Sequence, residues 1–381
     1  MKIFDVIIVG AGPSGSILGS LLVEYGYEVL VIEEHNKIGE PEHCAGILGY
    51  KCWNRLPVKP RKAIISRINW AILYSCGNQK VVAQGNIGLA VDRKILDLEL
   101  FKHAEKRGVR YNLGERVVRI REVGREYEVE TIQSCFKSKV LVGADGVNSI
   151  VREKLFKEPL RKAMGYQAIV DWSTRRVIKI FWRKYLMPHG FAWITPDSRG
   201  SKIGVIGRSK KQLQKFLKEL GICNIRELIG GPVPLEIVNR SAIRGALLIG
   251  DAAGQVKPFS RGGIYFITLC APLAARVIDE FLKGRIRGLE KYDMLWRRVL
   301  RKHLLLGEIF RLIINELHPK TQDLVFKELS KCGKMDSFDL DDYSKVALWA
   351  LRKGLLIRLI KRRLVTELLS NVTRYIKVLI M

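Results

Sequence analysis

Three glycines near the start of the chain have the spacing that brings a polypeptide backbone against a phosphate group. They lie in the run Gly10-Ala11-Gly12-Pro13-Ser14-Gly15. Gly10 suits a tight turn, Gly12 leaves room for a pyrophosphate, and Gly15 allows a helix to pack closely on a strand. The amino end of that helix would add its positive dipole to the phosphate site. The run therefore predicts a bound dinucleotide.

Glu33 is the acid expected at the adenosine end of such a site. It follows the apolar run 28–32, where a carboxylate can accept hydrogen bonds from both hydroxyls of a ribose. The same charge disfavours a 2′-phosphate, so NADP is not expected. The spacing leaves FAD and NAD as alternatives, because both carry an adenosine diphosphate.

Later parts of the chain offer further contacts to the same nucleotide. Arg93 lies in the first turn of a predicted helix, within reach of a phosphate. The turn Asp145-Gly146 follows a buried strand and suits a close backbone approach. Asp251 follows another buried strand, and Gly262-Gly263-Ile264 begins a helix that can direct its amino end at the cofactor. Asp251 has an alternative role as an ordinary helix cap.

Apolar periodicity supplies the elements that would position these residues. Continuous apolar runs predict buried strands over residues 3–9, 28–32, 140–142 and 246–249. The apolar residues that follow Gly15 recur at helical spacing. Strand, glycine turn, helix and strand in this order are typical of a Rossmann-like unit.

Taken in order over residues 3–275, the five segments resemble the FAD-binding fold of the para-hydroxybenzoate hydroxylase class. The resemblance implies FAD as the cofactor, with the Gly250-Asp251 loop holding the ribitol and pyrophosphate. It also implies that the helix after Pro258 stabilises negative charge on the reduced flavin ring. The cofactor contacts predicted from the motifs and the resemblance are Gly10, Gly12, Ser14, Gly15, Glu33, Glu34, Cys44, Ala45, Gly46, Ile47, Arg93, Val117, Asp145, Gly146, Asp251, Gly262, Gly263 and Ile264.

Two further stretches resemble motifs of the geranylgeranyl reductase family, which saturates prenyl double bonds. The stretch Pro41-Glu42-His43-Cys44-Ala45-Gly46 is similar to the family's Pro-x-x-Cys-Gly-Gly, and Gly190-Phe191-Ala192-Trp193-Ile194-Thr195-Pro196 is similar to its Tyr-x-Trp-x-Phe-Pro. The resemblance implies that Cys44 lies near the flavin ring as the candidate catalytic residue, and that Phe191, Trp193 and Pro196 line a prenyl pocket. The alternatives are a cysteine that packs as a small buried hydrophobe and aromatic residues that fill the core.

The chain departs from these family patterns at four positions. Ala45 replaces the first glycine after the cysteine, Phe191 lacks the tyrosine hydroxyl, and Thr195 replaces the last aromatic residue. Arg261 stands where the family has the first of three glycines beside the flavin, and its bulk and charge are expected to change access to the ring.

The expected fold is α/β, with a discontinuous Rossmann-like FAD-binding domain, an antiparallel β-sheet substrate domain and a helical C-terminal tail. The FAD-binding domain is predicted to comprise residues 1–60, 85–165 and 240–285. Residues 61–84 and 166–239 are predicted to form the substrate-binding sheet, from alternating runs such as 176–182 and 201–207. Residues 286–381 form the basic helical region.

The charge of the chain predicts an anionic partner. Lys and Arg total 66 against 38 Asp and Glu, a formal net charge of +28, and no nucleic-acid-binding motif is recognisable. The basic and apolar residues of 351–363 favour an anionic membrane surface, with a solvated basic surface as the alternative. We expect a cytoplasmic protein peripherally associated with the membrane, without a metal site, because the seven cysteines lack paired spacing.

These observations predict an FAD-dependent reductase that saturates isoprenoid double bonds of a membrane lipid or prenyl precursor by hydride transfer from flavin N5. The electron donor is unknown. The alternatives are a hydroxylase or halogenase of the same fold, and an electron-transfer flavoprotein that passes electrons to a membrane quinone.

Overall fold

The computed structural model of the protein describes residues 2–188, 190–336 and 338–354. The strands are β1 Ile3–Val9, β2 Val29–Glu33, β3 Ile47–Leu48, β4 Ile64–Tyr74, β5 Lys80–Val91, β6 Arg110–Leu113, β7 Val117–Val123, β8 Glu126–Thr131, β9 Cys135–Gly143, β10 Lys162–Val170, β11 Val177–Phe181, β12 Ala192–Asp197, β13 Gly200–Gly207, β14 Glu227–Pro234, β15 Ala242–Ile243, β16 Ala246–Leu248 and β17 Met335–Asp336. The helices are α1 Pro13–Glu24, α2 Tyr50–Arg55, α3 Arg93–Lys106, α4 Lys210–Glu219, α5 Ile264–Leu282, α6 Lys291–Glu316, α7 Pro319–Ser330 and α8 Tyr343–Arg352. Short helical turns cover Arg61–Ala63, Arg152–Phe156 and Gly250–Ala253.

The first sheet has the order β15-β16-β9-β1-β2-β6, and β8 joins β7 to β9. Strands β16, β9, β1, β2 and β6 pair in parallel. Their apolar runs are buried on both faces, as in β2, where the first four residues are buried. One face packs on helices α1, α3 and α5, and the other packs on residues of β7, β8 and the turn Arg152–Phe156. The carboxyl ends of these strands therefore meet at one edge, which is where ligands bind in open α/β sheets.

The second sheet has the order β14-β10-β13-β12-β11-β4-β5-β17, with β3 paired to β5. Its pairing is mainly antiparallel, and two pairs, β11 with β4 and β17 with β5, are parallel. Strand β5 lies wholly in this sheet, although residues 85–91 fall within the predicted FAD-binding domain. The predicted division into domains stays a prediction.

Helices α1, α3 and α5 pack on one face of the first sheet and form the largest hydrophobic cluster. Trp296 and Tyr292 of α6 are fully buried in the same cluster, so α6 is part of the core. Helix α6 ends at Glu316 and α7 begins at Pro319. Of the predicted basic region 286–381, residues 355–381 lie outside the described residues, as does most of the basic stretch 351–363.

Among the described residues, no helix combines the length and the apolar character that crossing a membrane requires.

Candidate active site

The glycine turn has the geometry that the sequence predicts. Gly10 has a φ of +101°, and a Cβ atom there would lie 2.5 Å from the carbonyl oxygen of Ala144. At Gly15 a Cβ would lie 2.0 Å from the carbonyl oxygen of Gly10. At Gly12, by contrast, an added Cβ would meet no described atom within 4 Å. Gly10 and Gly15 are therefore needed by the fold, whereas Gly12 borders open space.

Glu33 ends β2 with its carboxylate directed at the glycine turn. One oxygen accepts a hydrogen bond from the backbone N–H of Ala11 at 2.8 Å, and the other accepts one from the N–H of His35 at 3.0 Å. The His35 ring nitrogen also lies 2.6 Å from this second oxygen. A carboxylate has about four acceptor positions, so capacity for a ribose hydroxyl remains on the oxygen that accepts from Ala11. Glu34 is exposed, 4.0 Å from the guanidinium of Arg116.

Arg93 lies at the start of α3, and its guanidinium donates two hydrogen bonds to Asp97, at 2.9 and 2.8 Å. Burial by itself would lower the pKa of Arg93, but the Asp97 carboxylate and the nearby Cys44 thiol outweigh burial and raise it. The charge of Arg93 also opposes the burial that raises the pKa of Asp251. The segments that carry Cys44 and Asp251 therefore both lie within the electrostatic influence of this arginine.

Asp251 lies beside the amino end of α5, where a Cβ on Gly263 would be 2.9 Å from its Oδ1 atom. Burial raises the pKa of Asp251 to about 6, although the charge of Arg93 opposes this. Helix α5 begins at Ile264 without a side-chain cap, so its first N–H groups keep donor capacity for a ligand. Gly262, Gly263 and Ile264 thus lie where the sequence predicts a helix amino end.

We predict that Asp251→Asn stabilises the FAD-free protein at neutral pH. A raised pKa means that the folded chain favours the protonated acid, so stability decreases as the pH rises from 3.8, the ordinary pKa of the group, to about 6. The substitution should raise the free energy of unfolding by about 3 kcal/mol above about pH 7 and change it little below about pH 4. Urea unfolding of both FAD-free proteins across this range measures the difference, and a pH-independent difference would contradict the assignment.

Asp145 caps the turn that follows β9. Its Oδ2 atom accepts a hydrogen bond from the N–H of Ile150 at 2.7 Å, while Oδ1 is buried without a partner among the described atoms. Burial raises the pKa of Asp145, against the hydrogen bonds that lower it. Gly146 has a φ of +72° and borders open space. Asp145 therefore keeps an acceptor oxygen without a partner in the described part of the chain, and the backbone of the next residue is open to a ligand.

The segment that carries Cys44 lies against the second sheet through four consecutive carbonyl groups. The His43 carbonyl accepts a hydrogen bond from Gln167 at 2.9 Å, and the Cys44 carbonyl accepts one from Lys202 at 3.2 Å. The Ala45 carbonyl accepts from Thr195 at 3.5 Å, and the Gly46 carbonyl accepts from the N–H of Val91 at 2.7 Å. The N–H of Gly46 donates back to the Cys44 sulfur at 3.4 Å. Ile47 then begins β3 and pairs with Ala90. We call residues 41–46 the cysteine strap.

Phe191 and Trp193 lie on one face of the β12 segment, with their ring centroids 5.7 Å apart. The Trp193 ring covers Gly204, where a Cβ would be 2.2 Å from its Cζ2 atom, and its N–H donates to Gln167 at 3.2 Å. Thr195 shares this face, which is the face turned to the cysteine strap. Because side chains alternate along a strand, Pro196 lies on the opposite face.

The remaining predicted residues, Ser14 and Val117, and the unusual Arg261 have the following positions. A Cβ on Gly250 would meet the Ser14 hydroxyl at 2.1 Å, so Ser14 packs against the Asp251 loop. Val117 is buried at the start of β7, in the cluster that contains Ile32. Arg261 has a φ of +60°, and its guanidinium donates to the Leu235 carbonyl at 3.0 Å. Ordinary side chains rarely adopt this backbone conformation, which explains why glycine is common at such a position.

Other residues at the site come from segments in which the sequence predicts no functional residue. Lys202 and Gln167 hold the cysteine strap from strands that follow it by more than a hundred residues. Asp341, from the C-terminal region, accepts a hydrogen bond from the buried Lys257 at 2.9 Å beneath the Gly262 loop. None of these residues belongs to a recognisable motif. Their contacts join segments that are far apart in the sequence, and the spacing of residues does not predict such contacts.

The residues fit FAD. Backbone faces open space at Gly12 and Gly146, Asp145 has an unpaired oxygen, and two helix amino ends, at α1 and α5, lack side-chain caps among the described residues. Glu33 lies beside the Ala11 end of the glycine turn, at the place where the sequence predicts the adenosine ribose.

Comparisons with known proteins agree with this geometry. A family model described as an FAD binding domain matches residues 4–46. A digeranylgeranylglycerophospholipid reductase of Methanocaldococcus jannaschii is 27% identical over 90% of this chain and 94% of its own length. A geranylgeranyl bacteriochlorophyll reductase-like protein of Thermoplasma acidophilum has a similar structure, with a TM-score of 0.81 at 20% identity over 95% of this chain and 99% of that one. A halogenase, PltM, solved with FAD, has a TM-score of 0.68 at 14% identity over 87% and 80%.

The fold and the site define a flavoprotein whose cofactor is FAD, built on the predicted α/β architecture. The similarity extends over nearly the whole chain and confirms the predicted resemblance to the geranylgeranyl reductase family. The protein is a flavin-dependent oxidoreductase.

Proposed function

We propose that the protein reduces isoprenoid C=C bonds of a membrane lipid whose head group is anionic, such as a digeranylgeranylglycerophospholipid. The observation that carries the proposal is the position of the cysteine strap. Its Cys44 lies beside Arg93 on the nucleotide side, while its carbonyls are held by the strands that present Phe191 and Trp193. The named activity of the reductase from Methanocaldococcus jannaschii supports the substrate class.

Reduced FAD, when bound, supplies a hydride from N5. An isolated alkene accepts a hydride only if a proton reaches the neighbouring carbon, because the carbanion would otherwise be unstabilised. The π bond breaks and two C–H bonds form. We propose that Cys44, or a water beside it, delivers that proton, and that Phe191 and Trp193 hold the double bond in line, since positioning can supply much of a rate enhancement.

An apolar chain offers little for polar recognition, so its binding depends on burial, at about 0.8 kcal/mol per methylene. The face of Phe191 and Trp193 in the second sheet suits this task. We therefore propose that the second sheet holds the substrate and the first sheet holds FAD. Pro196, on the other face of β12, would support this wall from behind.

We predict that Gly204→Ala impairs lipid reduction while FAD stays bound. The added methyl would overlap the Trp193 ring and displace it. We expect the KM for lipid to rise about tenfold or more, since loss of aromatic contact is worth over 1 kcal/mol. Gly165→Ala on the neighbouring strand is the matched control, because its Cβ would meet its nearest neighbour at 3.5 Å, an ordinary contact. Equal kinetics for both variants would remove Trp193 from the substrate site.

The exposed face of α6 supports association with an anionic membrane. Lys291, Arg298, Arg301 and Lys302 are exposed there together with Met294, Val299 and Leu305. Met294 is 62% exposed. Basic and apolar residues on one helix face suit the interface of a membrane with anionic lipids.

We predict that replacing Arg298, Arg301 and Lys302 together by Glu weakens binding to vesicles of anionic phospholipid by about 100-fold, at about 1 kcal/mol for each basic residue. The control makes the same charge change at Lys211, Lys215 and Lys218 on exposed positions of α4. Co-sedimentation at low and high salt measures both. Wild-type binding that does not depend on ionic strength would argue against the α6 surface.

Incubation of the reduced protein with the lipid, followed by mass spectrometry, tests the proposed activity. The account expects the lipid to gain one H2 for each reduced bond. Oxygen-coupled NADPH consumption without saturation would instead support a hydroxylase, and quinone reduction without saturation would support an electron carrier.

A further inference from the structure

A buried lysine connects the cysteine strap to the second sheet. Lys202 lies on β13 with its side chain 1% exposed. Its ammonium group has three N–H donors, and three acceptors surround it: the Glu42 carboxylate, Asp197 at 3.1 Å and the Cys44 carbonyl at 3.2 Å. Every donor therefore has an acceptor, and two of the three acceptors belong to the strap.

The neighbouring charges complete this cluster. Arg199 donates to the second oxygen of Glu42 at 3.0 Å and to Asp197 at 2.9 Å. Burial would raise the pKa of Asp197, but the hydrogen bonds from Arg199 and the charge of Lys202 lower it. The Asp197 carboxylate is thereby held as an anion inside the protein, where an unpaired charge is costly.

We propose that Lys202 is a positioning residue that fixes the distance of Cys44 from the cofactor and from the substrate wall. This inference rests on the proposed function, because Cys44 is the proposed proton donor. Glu42 lies two residues before Cys44, so one ammonium group holds the strap at two points on either side of His43. Buried ion pairs contribute little net stability compared with apolar residues of similar size. The cluster is therefore better explained by the geometry that it imposes on the strap.

Gln167 extends the same arrangement to the aromatic wall. Its amide N–H holds the His43 carbonyl, and its amide oxygen accepts the Trp193 N–H. Gln167 on β10 and Lys202 on the neighbouring strand β13 thus fix the position of the strap, and Gln167 also fixes the Trp193 ring. A shift of the strap changes the distance between Cys44 and the double bond that Trp193 would hold.

The test uses the holoprotein of the variant Lys202→Met/Glu42→Gln, which removes one charge of each sign. Lys202→Arg is the conservative variant, Gln167→Leu removes a strap contact without burying a charge, and exposed Lys162→Met is the control. For each, we would measure bound FAD, the pH profile of Cys44 alkylation by iodoacetamide with mass spectrometry, and kcat and KM for lipid. The exposed Cys135 provides an internal reference in the alkylation.

We expect the double variant to retain FAD. Its Cys44 should be alkylated about tenfold faster or more, because a charged hydrogen bond to the strap is lost. Its kcat for lipid reduction should decrease about 10- to 100-fold. Its KM should change by less than about threefold. Lys202→Arg should recover part of both effects, and Gln167→Leu should shift them in the same direction.

If the folded double variant had the wild-type rate of Cys44 alkylation and the wild-type kcat, the proposal would be overturned. If the double variant does not fold, wild-type alkylation and kcat for Gln167→Leu would overturn it. If the wild-type protein reduces no lipid, the proposed function fails, while Cys44 alkylation still decides whether Lys202 positions the strap.

Discussion

Gly12→Ala is expected to fold as the wild-type protein does and to lose most of its affinity for FAD. The backbone at Gly12 has an ordinary φ of −66°, and an added methyl group meets no described atom within 4 Å. The methyl would instead occupy the space through which a pyrophosphate approaches the backbone. Loss of two charge-assisted hydrogen bonds from the backbone would raise the Kd for FAD by at least about 100-fold. Titration of the FAD-free protein with FAD, followed by flavin fluorescence, measures this.

Gly19→Ala on the same helix is the control for this experiment. Its methyl would pack on Val109 at 3.4 Å, away from the glycine turn, and the alanine would favour the helix. We expect wild-type affinity for FAD. If Gly12→Ala bound FAD as tightly as this control, the pyrophosphate would not lie at the glycine turn.

Cys44→Ala is expected to retain FAD and to lose most of its turnover. A general acid contributes about 10²- to 10⁴-fold to a rate, so kcat for lipid reduction should decrease within this range, with KM little changed. Steady-state kinetics together with the flavin absorption spectrum measure both quantities.

Cys135→Ala, an exposed cysteine of the first sheet, is the control and should behave as wild type. A Cys44→Ala protein that binds FAD normally and reduces lipid at the wild-type rate would exclude Cys44 from the mechanism. Cys44 would then be only a small side chain that packs near the cofactor.

The cofactor half of the site could be predicted from the sequence because its requirements are local. The turn at Gly10 needs a positive φ, Gly15 must lie against the Gly10 carbonyl, and both constraints exclude side chains within one short run. The acid at the end of β2 follows from the length of the intervening helix and strand. The residue types within one short segment are therefore enough to predict this part of the site.

The support of the cysteine strap could not be predicted in this way. Lys202 contacts Glu42 and the Cys44 carbonyl across about 160 residues of sequence, and a lysine inside an alternating strand is typical of a solvated face. Only the pairing of β12 with β13, opposite the strap, buries it. Asp341 is another such case, since it reaches Lys257 from a region predicted only as basic and helical.

The aromatic motif alone does not predict which of its side chains share a face of the sheet, because side chains alternate along a strand. The motif groups Phe191, Trp193 and Pro196 by sequence, but a strand turns successive side chains to opposite faces. The structure links Trp193 to the strap through Gln167 and packs Phe191 against the cluster of Trp182 and Phe326. Pro196 turns to the other side, where Ala192 and Ile194 join a separate core cluster.

The central claim is that the dispersed glycines and acids hold one FAD whose reactive edge meets an isoprenoid chain between Cys44 and the aromatic wall. The most direct test is anaerobic: the flavin bound to the protein is reduced, the lipid is added, and flavin absorbance and lipid mass are followed together. We expect the flavin to be reoxidised as the lipid gains H2. A protein that binds no flavin, or a reduced flavin that the lipid leaves unchanged, would contradict it.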